Sequence, residues 1–199
     1  MKSIAVFASG RGTNFQAIAD AVKKGIVKAN ISLLVCDNPF APVLLKAKTA
    51  KIKTFLVKRK GFASKQDFEA AVIRELKKEK IDLICLAGFM RILSKRFVRA
   101  YKNRIINIHP SLLPSFKGEH GIKDAFDYGV KITGVTVHFV DEKMDHGPII
   151  LQESVRINKN DSPASLEAKI HKVEHSVYPQ AIRLFVEEKL IVRGRKVKL

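Results

Sequence analysis

Several residue types and patterns are scarce in this 199-residue chain, and their scarcity excludes whole classes of protein. Tryptophan is absent, and the only cysteines are Cys36 and Cys85, which excludes a disulfide scaffold and a four-thiolate zinc site. With 11 glycines and 7 prolines, the composition is neither collagen-like nor of low complexity. No apolar run reaches the roughly 18 residues of a membrane span, and Lys2 leads into a strand pattern rather than a signal peptide. We therefore expect a soluble cytoplasmic protein with no membrane partner.

The residues that are present indicate a folded domain. Apolar residues make up 46% of the chain, so it can bury enough surface to offset the entropy lost on folding, which excludes intrinsic disorder. The length suits one domain, and the sequence contains neither an internal repeat nor a linker. We predict a single domain over residues 1–199.

Acidic residues are scarce in the first half of the chain. The whole sequence has 37 Lys and Arg against 19 Asp and Glu, a formal charge of +18. Residues 1–100 carry a net charge of +14, and residues 38–66 contain eight basic residues and no acid. Such an excess can indicate nucleic acid binding, attraction of anionic substrates, or a lysine-rich surface. Composition alone leaves these three interpretations open.

Strand and helix patterns alternate along the first half. Short, continuous apolar runs predict strands over residues 3–8, 31–36, 54–57, 81–87 and 104–108. Helical periodicity follows Gly12 as far as Gly25 and returns over residues 42–50 and 65–80. Apolar strands separated by helices are typical of parallel strands that are buried on both faces. The predicted fold class is α/β, with a doubly wound, mostly parallel sheet.

The pattern changes after His109. A loop rich in Pro and Gly and a short helix to Gly129 precede an antiparallel pair over residues 131–140 and 149–155. Ser162 and Pro163 then begin a long final helix, which Pro179 should kink or interrupt. We expect the basic tail, residues 193–199, to be mobile.

The first motif with chemical content is SGRGTN, residues 9–14, between a strand and a helix. Its glycines permit a tight turn and let backbone amides approach an anion at the helix N-terminus. It is not a P-loop, because no Lys-Ser or Lys-Thr follows, and Phe15 excludes the dinucleotide pattern G-x-G-x-x-G. The motif is either a plain turn or a monophosphate cradle built from Gly12, Thr13 and Asn14.

The second motif, NIHPSLLP, begins with Asn107 at the carboxyl end of a predicted parallel strand. Asn107 and His109 are two residues apart, so their side chains point to the same side of an extended strand. An amide and an imidazole can both donate hydrogen bonds to an oxygen that becomes negative as a carbonyl turns tetrahedral. The alternative is a histidine with a purely structural role.

The third motif, DHGP, lies in the loop between the last two strands and contains Asp145. If this loop folds over the strand end, Asp145 can approach His109, orient the imidazole and organise a water that relays protons. The alternative is an ordinary turn, which Asp-x-Gly-Pro also favours.

An apolar loop with one arginine, residues 88–93, opens at the same edge of the sheet. It suits a flat heterocycle with a carboxylate tail, although a packed connection between strand and helix explains it equally well. The remaining histidines show no metal-ligand spacing; they include His120, His138, His171 and His175. Both cysteines end apolar runs, so we expect buried thiols.

Five segments in this order resemble the phosphoribosylglycinamide formyltransferase family of folate-dependent enzymes in purine synthesis. They are SGRGTN (9–14), LAGFMRIL (86–93), NIHPSLLP (107–114), GVTVHFVDEKMDHGP (134–148) and VEHSVYP (173–179). The resemblance covers nearly the whole chain. It implies a Rossmann-like formyltransferase domain, in which residues 1–108 bind the nucleotide phosphate and residues 109–199 supply the catalytic loop, the folate site and the last helix.

The resemblance also implies an activity, its ligands and a role for individual residues. A formyl group would pass from 10-formyltetrahydrofolate, a co-substrate, to the primary amine of glycinamide ribonucleotide, without a metal. The catalytic residues would be Asn107, His109 and Asp145. The ribonucleotide would contact Gly12, Thr13, Asn14, His171 and Glu174. The folate pocket would contain Lys65, Met90, Arg91, Ile92, Leu93, Asn107, Val140, Asp141 and Asp145.

Two of these positions depart from the family pattern. His171 stands where an uncharged polar residue is expected, and Lys65 where arginine is common. In the implied reaction, Asn107 and a protonated His109 stabilise the oxygen that becomes an alkoxide. Asp145 keeps His109 cationic and positions the water that carries a proton from the amine to the leaving nitrogen.

Three other functions compete with this one. A formyltetrahydrofolate hydrolase should carry an N-terminal regulatory module, and a methionyl-tRNA formyltransferase an additional C-terminal domain. A nucleic-acid-binding module should show a recognisable binding signature, which the basic stretch 46–65 lacks. We therefore expect small-molecule substrates, no nucleic acid partner, and a monomer or homodimer. The positive charge then acts as a modest field that attracts anionic substrates.

Overall fold

The computed structural model describes residues 1–199 and contains nine strands and six α-helices. The strands are β1 (Lys2–Phe7), β2 (Ala29–Cys36), β3 (Thr54–Leu56), β4 (Leu83–Leu86), β5 (Ile105–His109), β6 (Ile132–Phe139), β7 (Ile149–Arg156), β8 (Ile191–Arg193) and β9 (Lys196–Lys198). The helices are α1 (Thr13–Lys23), α2 (Val43–Thr49), α3 (Lys65–Lys78), α4 (Lys95–Ala100), α5 (Gly121–Tyr128) and α6 (Pro163–Val186), and a 3₁₀ turn spans Arg59–Gly61. The ends of the first seven strands lie within two residues of those predicted from the sequence.

All nine strands belong to one mixed sheet, in the order β3-β2-β1-β4-β5-β6-β7-β9-β8. Strands β1 to β5 are parallel, whereas β6 is antiparallel to β5, and β7 to β6. This confirms the predicted fold class. The chain builds outward from β1 to β3 and then returns to place β4 on the other side of β1. In doubly wound sheets, ligands bind beyond the carboxyl ends of the strands at this reversal.

The sheet is buried on both faces. In β1, Ile4 and Val6 join the larger apolar cluster, which also contains side chains of α1 and α6. Ala5 and Phe7 point to the opposite face and join a smaller cluster with side chains of α3 and α4. This double burial explains why the strands appear in the sequence as continuous apolar runs rather than as alternating ones.

Helix α6 corrects one prediction. It is continuous from Pro163 to Val186, so the helix is not interrupted at Pro179, and a kink there stays a prediction. Proline removes one backbone donor, but the surrounding turns of α6 are fixed to the core. Tyr178 is fully buried, and its hydroxyl donates to the carbonyl oxygens of Leu86 and Ile106 at 2.8 and 3.1 Å. Tertiary packing therefore outweighs the local preference for a break.

The C-terminal tail corrects a second prediction. Residues 193–199, predicted to be mobile, take part in the hairpin of β8 and β9. Strand β9 pairs in parallel with β7 through Ile149 and Lys196. Val192 and Val197 pack against the larger apolar cluster, which attaches the hairpin to the fold.

One short helix was not predicted. Helix α4 has only six residues, and the Ser94 hydroxyl caps it by accepting a hydrogen bond from the Phe97 amide. Its periodicity is too short to recognise, although Ser is a common N-cap. No helix of the fold combines the length and the apolar composition that crossing a membrane requires.

Candidate active site

A cavity of about 490 Å³ opens at the carboxyl ends of β1, β4 and β5, where the strand order reverses. It brings together every predicted site residue except Lys65. These residues are Gly12, Thr13, Asn14, Met90, Arg91, Ile92, Leu93, Asn107, His109, Val140, Asp141, Asp145, His171 and Glu174. A wider and more open groove of about 670 Å³ lies between α1 and α6, but it contains none of the predicted catalytic residues. The reactive groups therefore belong to the first cavity.

His109 ends β5, and its side chain is buried. Its Nε2 lies 2.8 Å from the carbonyl oxygen of Phe116, and since a carbonyl only accepts, Nε2 carries the hydrogen. Its Nδ1 lies 3.5 Å from Oδ2 of Asp145. Gly121 leaves the necessary room, because a Cβ there would lie 2.9 Å from the Phe116 oxygen and 3.3 Å from Nε2. Nδ1 is therefore the nitrogen that can exchange a proton, and it faces a carboxylate.

His138 is a site residue that the sequence analysis missed. The antiparallel register places it directly opposite Asn107, with its Nε2 3.3 Å from the Asn107 amide nitrogen. Its Nδ1 donates to the carbonyl oxygen of Phe139 at 2.8 Å, so Nε2 is the acceptor for the amide. Burial lowers the pKa of His138 and keeps the ring neutral. His138 therefore fixes the orientation of the Asn107 side chain, because only the amide nitrogen, and not the amide oxygen, can donate to Nε2.

No pattern in the sequence identifies this role of His138. The residue was noted only as a histidine without metal-ligand spacing. Its partner Asn107 lies 31 residues away in the chain, and only the pairing register of β5 with β6 brings the two together.

Asp145 is held over the end of β5 by a tightly folded loop. Its Oδ2 accepts a hydrogen bond from the Gly118 amide at 2.8 Å, and its Oδ1 lies 3.8 Å from Nε2 of His138. The backbone of Asp145 has φ 46°, a left-handed conformation that side-chain-bearing residues rarely adopt. At Gly147 a Cβ would lie 1.8 Å from the carbonyl oxygen of Phe139, so only glycine fits.

The N-terminus of α1 presents free amides to the cavity. Gly12 occupies the N-cap position with φ 69° and offers no side chain to the first turn. The first amides of a helix have no partner within it, so those of α1 remain available to an anion. A Cβ at Gly12 would lie 2.4 Å from Val43. Both the positive φ and this close approach therefore require glycine here. This geometry suits the predicted phosphate cradle.

A chain of charged side chains closes the same end of the cavity. Oε2 of the buried Glu174 accepts hydrogen bonds from Asn14 Nδ2 and His171 Nδ1, each at 2.9 Å. His171 Nε2 lies 3.2 Å from Oε1 of Glu167, which pairs with Arg11 at 2.7 Å. The hydrogen bond to Glu174, followed by the Glu174 and Glu167 charges, raises the pKa of His171 although burial opposes it.

The loop after β4 carries both polar and apolar groups. Arg91 pairs with Asp37 through Nε, so its charge is already balanced within the protein. Ser9 links this pair to the loop, because its hydroxyl donates to Asp37 and accepts from the Met90 amide. The side chains of Met90 and Ile92 are exposed at the rim of the cavity.

Lys65 lies apart from the other predicted residues. It is the first residue of α3, does not line the cavity, and its Nζ lies 4.0 Å from Oε1 of Glu69. Glu69 in turn accepts hydrogen bonds from the Ser94 amide and hydroxyl, next to the rim residue Leu93. The predicted contact of Lys65 with a folate carboxylate stays a prediction for the outer edge of the site.

The fold shows no arrangement of side chains suited to a metal ion. No group of three or more His, Cys, Asp or Glu side chains is arranged to hold a metal ion. The two cysteines are buried, as expected, and burial raises the pKa of both thiols. The groups that meet at the end of β5 are instead an amide, two imidazoles and a carboxylate. They are suited to stabilising negative charge on an oxygen and to moving a proton.

Comparisons with known proteins agree with a site that stabilises negative charge on an oxygen and moves a proton. Residues 2–182 match the model of the formyl transferase family. The chain is 46% identical over 183 residues to phosphoribosylglycinamide formyltransferase of Bacillus subtilis (strain 168), covering 92% of this chain and 94% of that protein. It is 44% identical over 187 residues to the trifunctional purine biosynthetic protein adenosine-3 of Drosophila melanogaster, covering 93% of this chain but 14% of that protein.

Solved structures separate the two nearest functional alternatives. Glycinamide ribonucleotide transformylase 1 from Symbiobacterium toebii is 40% identical with a TM-score of 0.98, covering 100% of this chain and 94% of the other. A formyltetrahydrofolate deformylase from Pseudomonas syringae is 27% identical with a TM-score of 0.93, covering 100% of this chain and 65% of the other. Identity and mutual coverage thus favour the transformylase over the deformylase. The chain belongs to the formyl transferase family, and within it to the phosphoribosylglycinamide formyltransferases.

Proposed function

We propose that this protein transfers the formyl group of 10-formyltetrahydrofolate to the primary amine of N1-(5-phospho-D-ribosyl)glycinamide, in purine biosynthesis. One observation carries the proposal: Asn107, His109 and Asp145 converge on a single cavity in a chain that is 46% identical to a phosphoribosylglycinamide formyltransferase. The substrates are small molecules. We retain the predictions of a cytoplasmic location and of a monomer or homodimer.

The groups at the end of β5 suit this reaction. The amine attacks the formyl carbon, a new C–N bond forms, the C–N bond to the folate breaks, and a proton moves from the amine to the leaving nitrogen. The Asn107 amide would donate to the carbonyl oxygen as it becomes negative, with protonated Nδ1 of His109 as a second donor. Asp145 would balance the charge of that imidazole and position the water that carries the proton.

The opposite end of the cavity would hold the ribonucleotide. The amides of Gly12, Thr13 and Asn14 and the dipole of α1 suit its phosphate. Glu174 would accept a hydrogen bond from the glycinamide end, and His171 would contact the substrate beside it. These two sites lie in the same cavity as the catalytic residues, so the amine and the formyl carbon can meet.

The rim of the cavity fits a folate. A flat heterocycle needs apolar walls with a few polar groups, and Met90, Ile92, Leu93 and Val140 supply such walls. The loop that contains Asp141 and Asp145 offers carboxylate oxygens to ring N–H groups. Arg91 is hydrogen-bonded to Asp37, whereas Nζ of Lys65 lies as far as 4.0 Å from Glu69, so we assign Lys65 to the glutamate tail. The folate would supply the activated formyl group.

The direct test is a transfer assay with purified protein. We expect formyl transfer only when both 10-formyltetrahydrofolate and glycinamide ribonucleotide are present. His109→Ala should lower kcat by roughly 10²–10⁴, because it removes the group that exchanges the proton. His120→Ala is the matched control, since His120 is exposed and makes no side-chain hydrogen bond.

The same assay distinguishes the deformylase. Release of formate from the folate without the ribonucleotide, at a rate comparable with transfer, would replace the proposed function by hydrolysis. Transfer by His109→Ala at the wild-type rate would show that the reaction does not use the groups at the end of β5.

A further inference from the structure

The C-terminal hairpin lies next to the loop that carries Asp145. The pairing of Lys196 in β9 with Ile149 in β7 sets this position, since Ile149 directly follows the loop. Between β8 and β9 the hairpin turns through Gly194 and Arg195. Gly194 has φ 58°, and glycine is favoured at the first central position of a two-residue turn for that reason. The turn therefore presents Arg195 to the loop.

Three side chains connect the hairpin turn to the loop. Nη1 of Arg195 lies 2.9 Å from Nε2 and 3.2 Å from Nδ1 of His146. Nδ1 of His146 lies 2.6 Å from Oδ2 of Asp141. Since a carboxylate accepts, Nδ1 of His146 donates to Asp141. Nη1 of Arg195 is close to both ring nitrogens, so the guanidinium contacts the face of the imidazole. The three groups form one continuous chain from the hairpin to the start of the loop.

The loop that carries Asp145 is held both by bonds within it and by contacts from other elements. Asp145 adopts a left-handed backbone conformation, which costs free energy for any residue with a side chain. Within the loop, the Lys143 amide donates to Asp141 Oδ1 at 2.9 Å and His146 to Asp141 Oδ2 at 2.6 Å. From other elements, the Gly118 amide donates to Asp145 itself at 2.8 Å, and Arg99 pairs with Glu142 at 2.6 Å. Arg195 adds a contact at His146, the residue next to Asp145, and this contact further limits how far that carboxylate can move.

We propose that Arg195 is a positioning residue for catalysis: through His146 and Asp141 it holds the loop in the conformation that places Asp145 against His109. The role rests on the proposed function, because it concerns the same site. It also gives a functional role to the C-terminal hairpin, which lies outside residues 2–182, the segment that matches the family model.

The expected effect is local. Arg195 is exposed, and an exposed charged contact adds little to the stability of the whole fold. Asp145 must nevertheless stay within a fraction of an ångström of its place to act on His109, and small displacements of reacting groups are costly. Loss of the contact should therefore reduce turnover while leaving the unfolding temperature nearly unchanged.

The test compares three variants of the full-length chain. Arg195→Ala removes the contact, Arg195→Lys keeps a cationic donor, and Arg193→Ala is the control. Arg193 lies on the same hairpin, is exposed, and has no ion pair or side-chain hydrogen bond. Two measurements are made on each: kcat and KM for formyl transfer, and hydrogen–deuterium exchange of the amides of residues 141–147.

For Arg195→Ala we expect kcat to fall about fivefold, the limit for an exposed charged pair, and the loop amides to exchange faster. Arg195→Lys should recover most of the lost turnover, and Arg193→Ala should match the wild type in both measurements. In a His146→Ala background, Arg195→Ala should cause no further loss. Unchanged turnover and exchange in Arg195→Ala would overturn the proposal, as would an equal effect of Arg193→Ala.

The two readouts separate this proposal from the proposed function. If the wild-type protein transfers no formyl group, the proposed function fails, while the exchange measurement still tests whether Arg195 restrains the loop. If the wild type is active and Arg195→Ala equals it, the proposed function stands and the positioning role of Arg195 is refuted.

Discussion

The two ends of the cavity are held together in different ways. The catalytic edge is defined as Asn107, His109, His138 and Asp145. Backbone groups fix three of these side chains: the Phe116 carbonyl fixes His109, the Phe139 carbonyl His138, and the Gly118 amide Asp145. His138 in turn orients Asn107. At the α6 end, defined as Arg11, Asn14, Glu167, His171 and Glu174, side chains bind one another. Backbone partners neither titrate nor rotate, whereas ionised side chains do both.

This difference has a functional consequence. The catalytic edge has a preset geometry and a preset pattern of donors and acceptors, which a step that depends on the orientation of a few hydrogens requires. The α6 end can adjust its charges to the ligand and to pH. Changes at the catalytic edge should therefore reduce kcat, and changes at the α6 end should alter stability and its dependence on pH.

The largest effect should come from Asp145→Asn. The variant keeps the size of the side chain and an oxygen for the Gly118 amide, but it removes the charge that faces His109. We expect kcat to fall by roughly 10²–10⁴ with little change in either KM, because the charge acts mainly in the transition state. Steady-state kinetics with both substrates measures this.

Asp124→Asn is the control for this variant, because Asp124 is exposed and its side chain makes no hydrogen bond or ion pair. A kcat near the wild-type value in Asp145→Asn, or an equal loss in both variants, would contradict the catalytic assignment.

A smaller effect is expected from His138→Phe. The ring keeps its approximate size but loses the acceptor for Asn107 and the donor for the Phe139 carbonyl. We expect kcat to fall roughly tenfold, because the Asn107 amide is no longer oriented. Combined with Asn107→Ala, the substitution should have little additional effect. Fully additive losses would show that His138 does not act through Asn107, and His120→Phe controls for loss of an exposed imidazole.

The smallest effect should come from His171→Gln at the α6 end. Contact with Glu174, and then with Glu167, raises the folded-state pKa of His171, so protonation stabilises the folded protein. This contribution is complete below the unfolded-state pKa of about 6.5 and disappears as the pH rises through the folded-state pKa.

Urea unfolding across the pH range measures this contribution. Wild type should exceed His171→Gln by up to about 1 kcal/mol near pH 5.5, and the difference should vanish near pH 9. His120→Gln is the control, because it removes an exposed imidazole that makes no side-chain hydrogen bond. A difference that grows with rising pH would contradict the assignment.

The parallel half of the fold could be predicted because its signals are local. Continuous apolar runs separated by helical periodicity identify strands that are buried on both faces, as in β1 and β4. The position of the site follows from the same pattern, since the carboxyl ends of parallel strands meet at one edge. Thus the motifs that contain Gly12, His109 and Asp145 line one cavity, although they are far apart in the chain.

The failures occurred where distant contacts outweigh local preference. Pro179 predicts a break, but the buried Tyr178 and its neighbours hold α6 continuous. The basic composition of the tail predicts mobility, yet β9 pairs with β7, and Arg195 contacts His146. None of these contacts can be predicted from the local sequence, because their partners lie far apart in the chain.

The sequence by itself determined the class of fold, the edge at which ligands bind and the residue types available for chemistry there, because these depend on periodicity and on the order of motifs. Only the tertiary structure decided how those residues work. The strand register pairs His138 with Asn107, the Phe116 carbonyl leaves Nδ1 of His109 to face Asp145, and the hairpin places Arg195 on the catalytic loop. Each of these contacts joins groups whose distance is set by packing and pairing between elements, which no short stretch of the chain encodes.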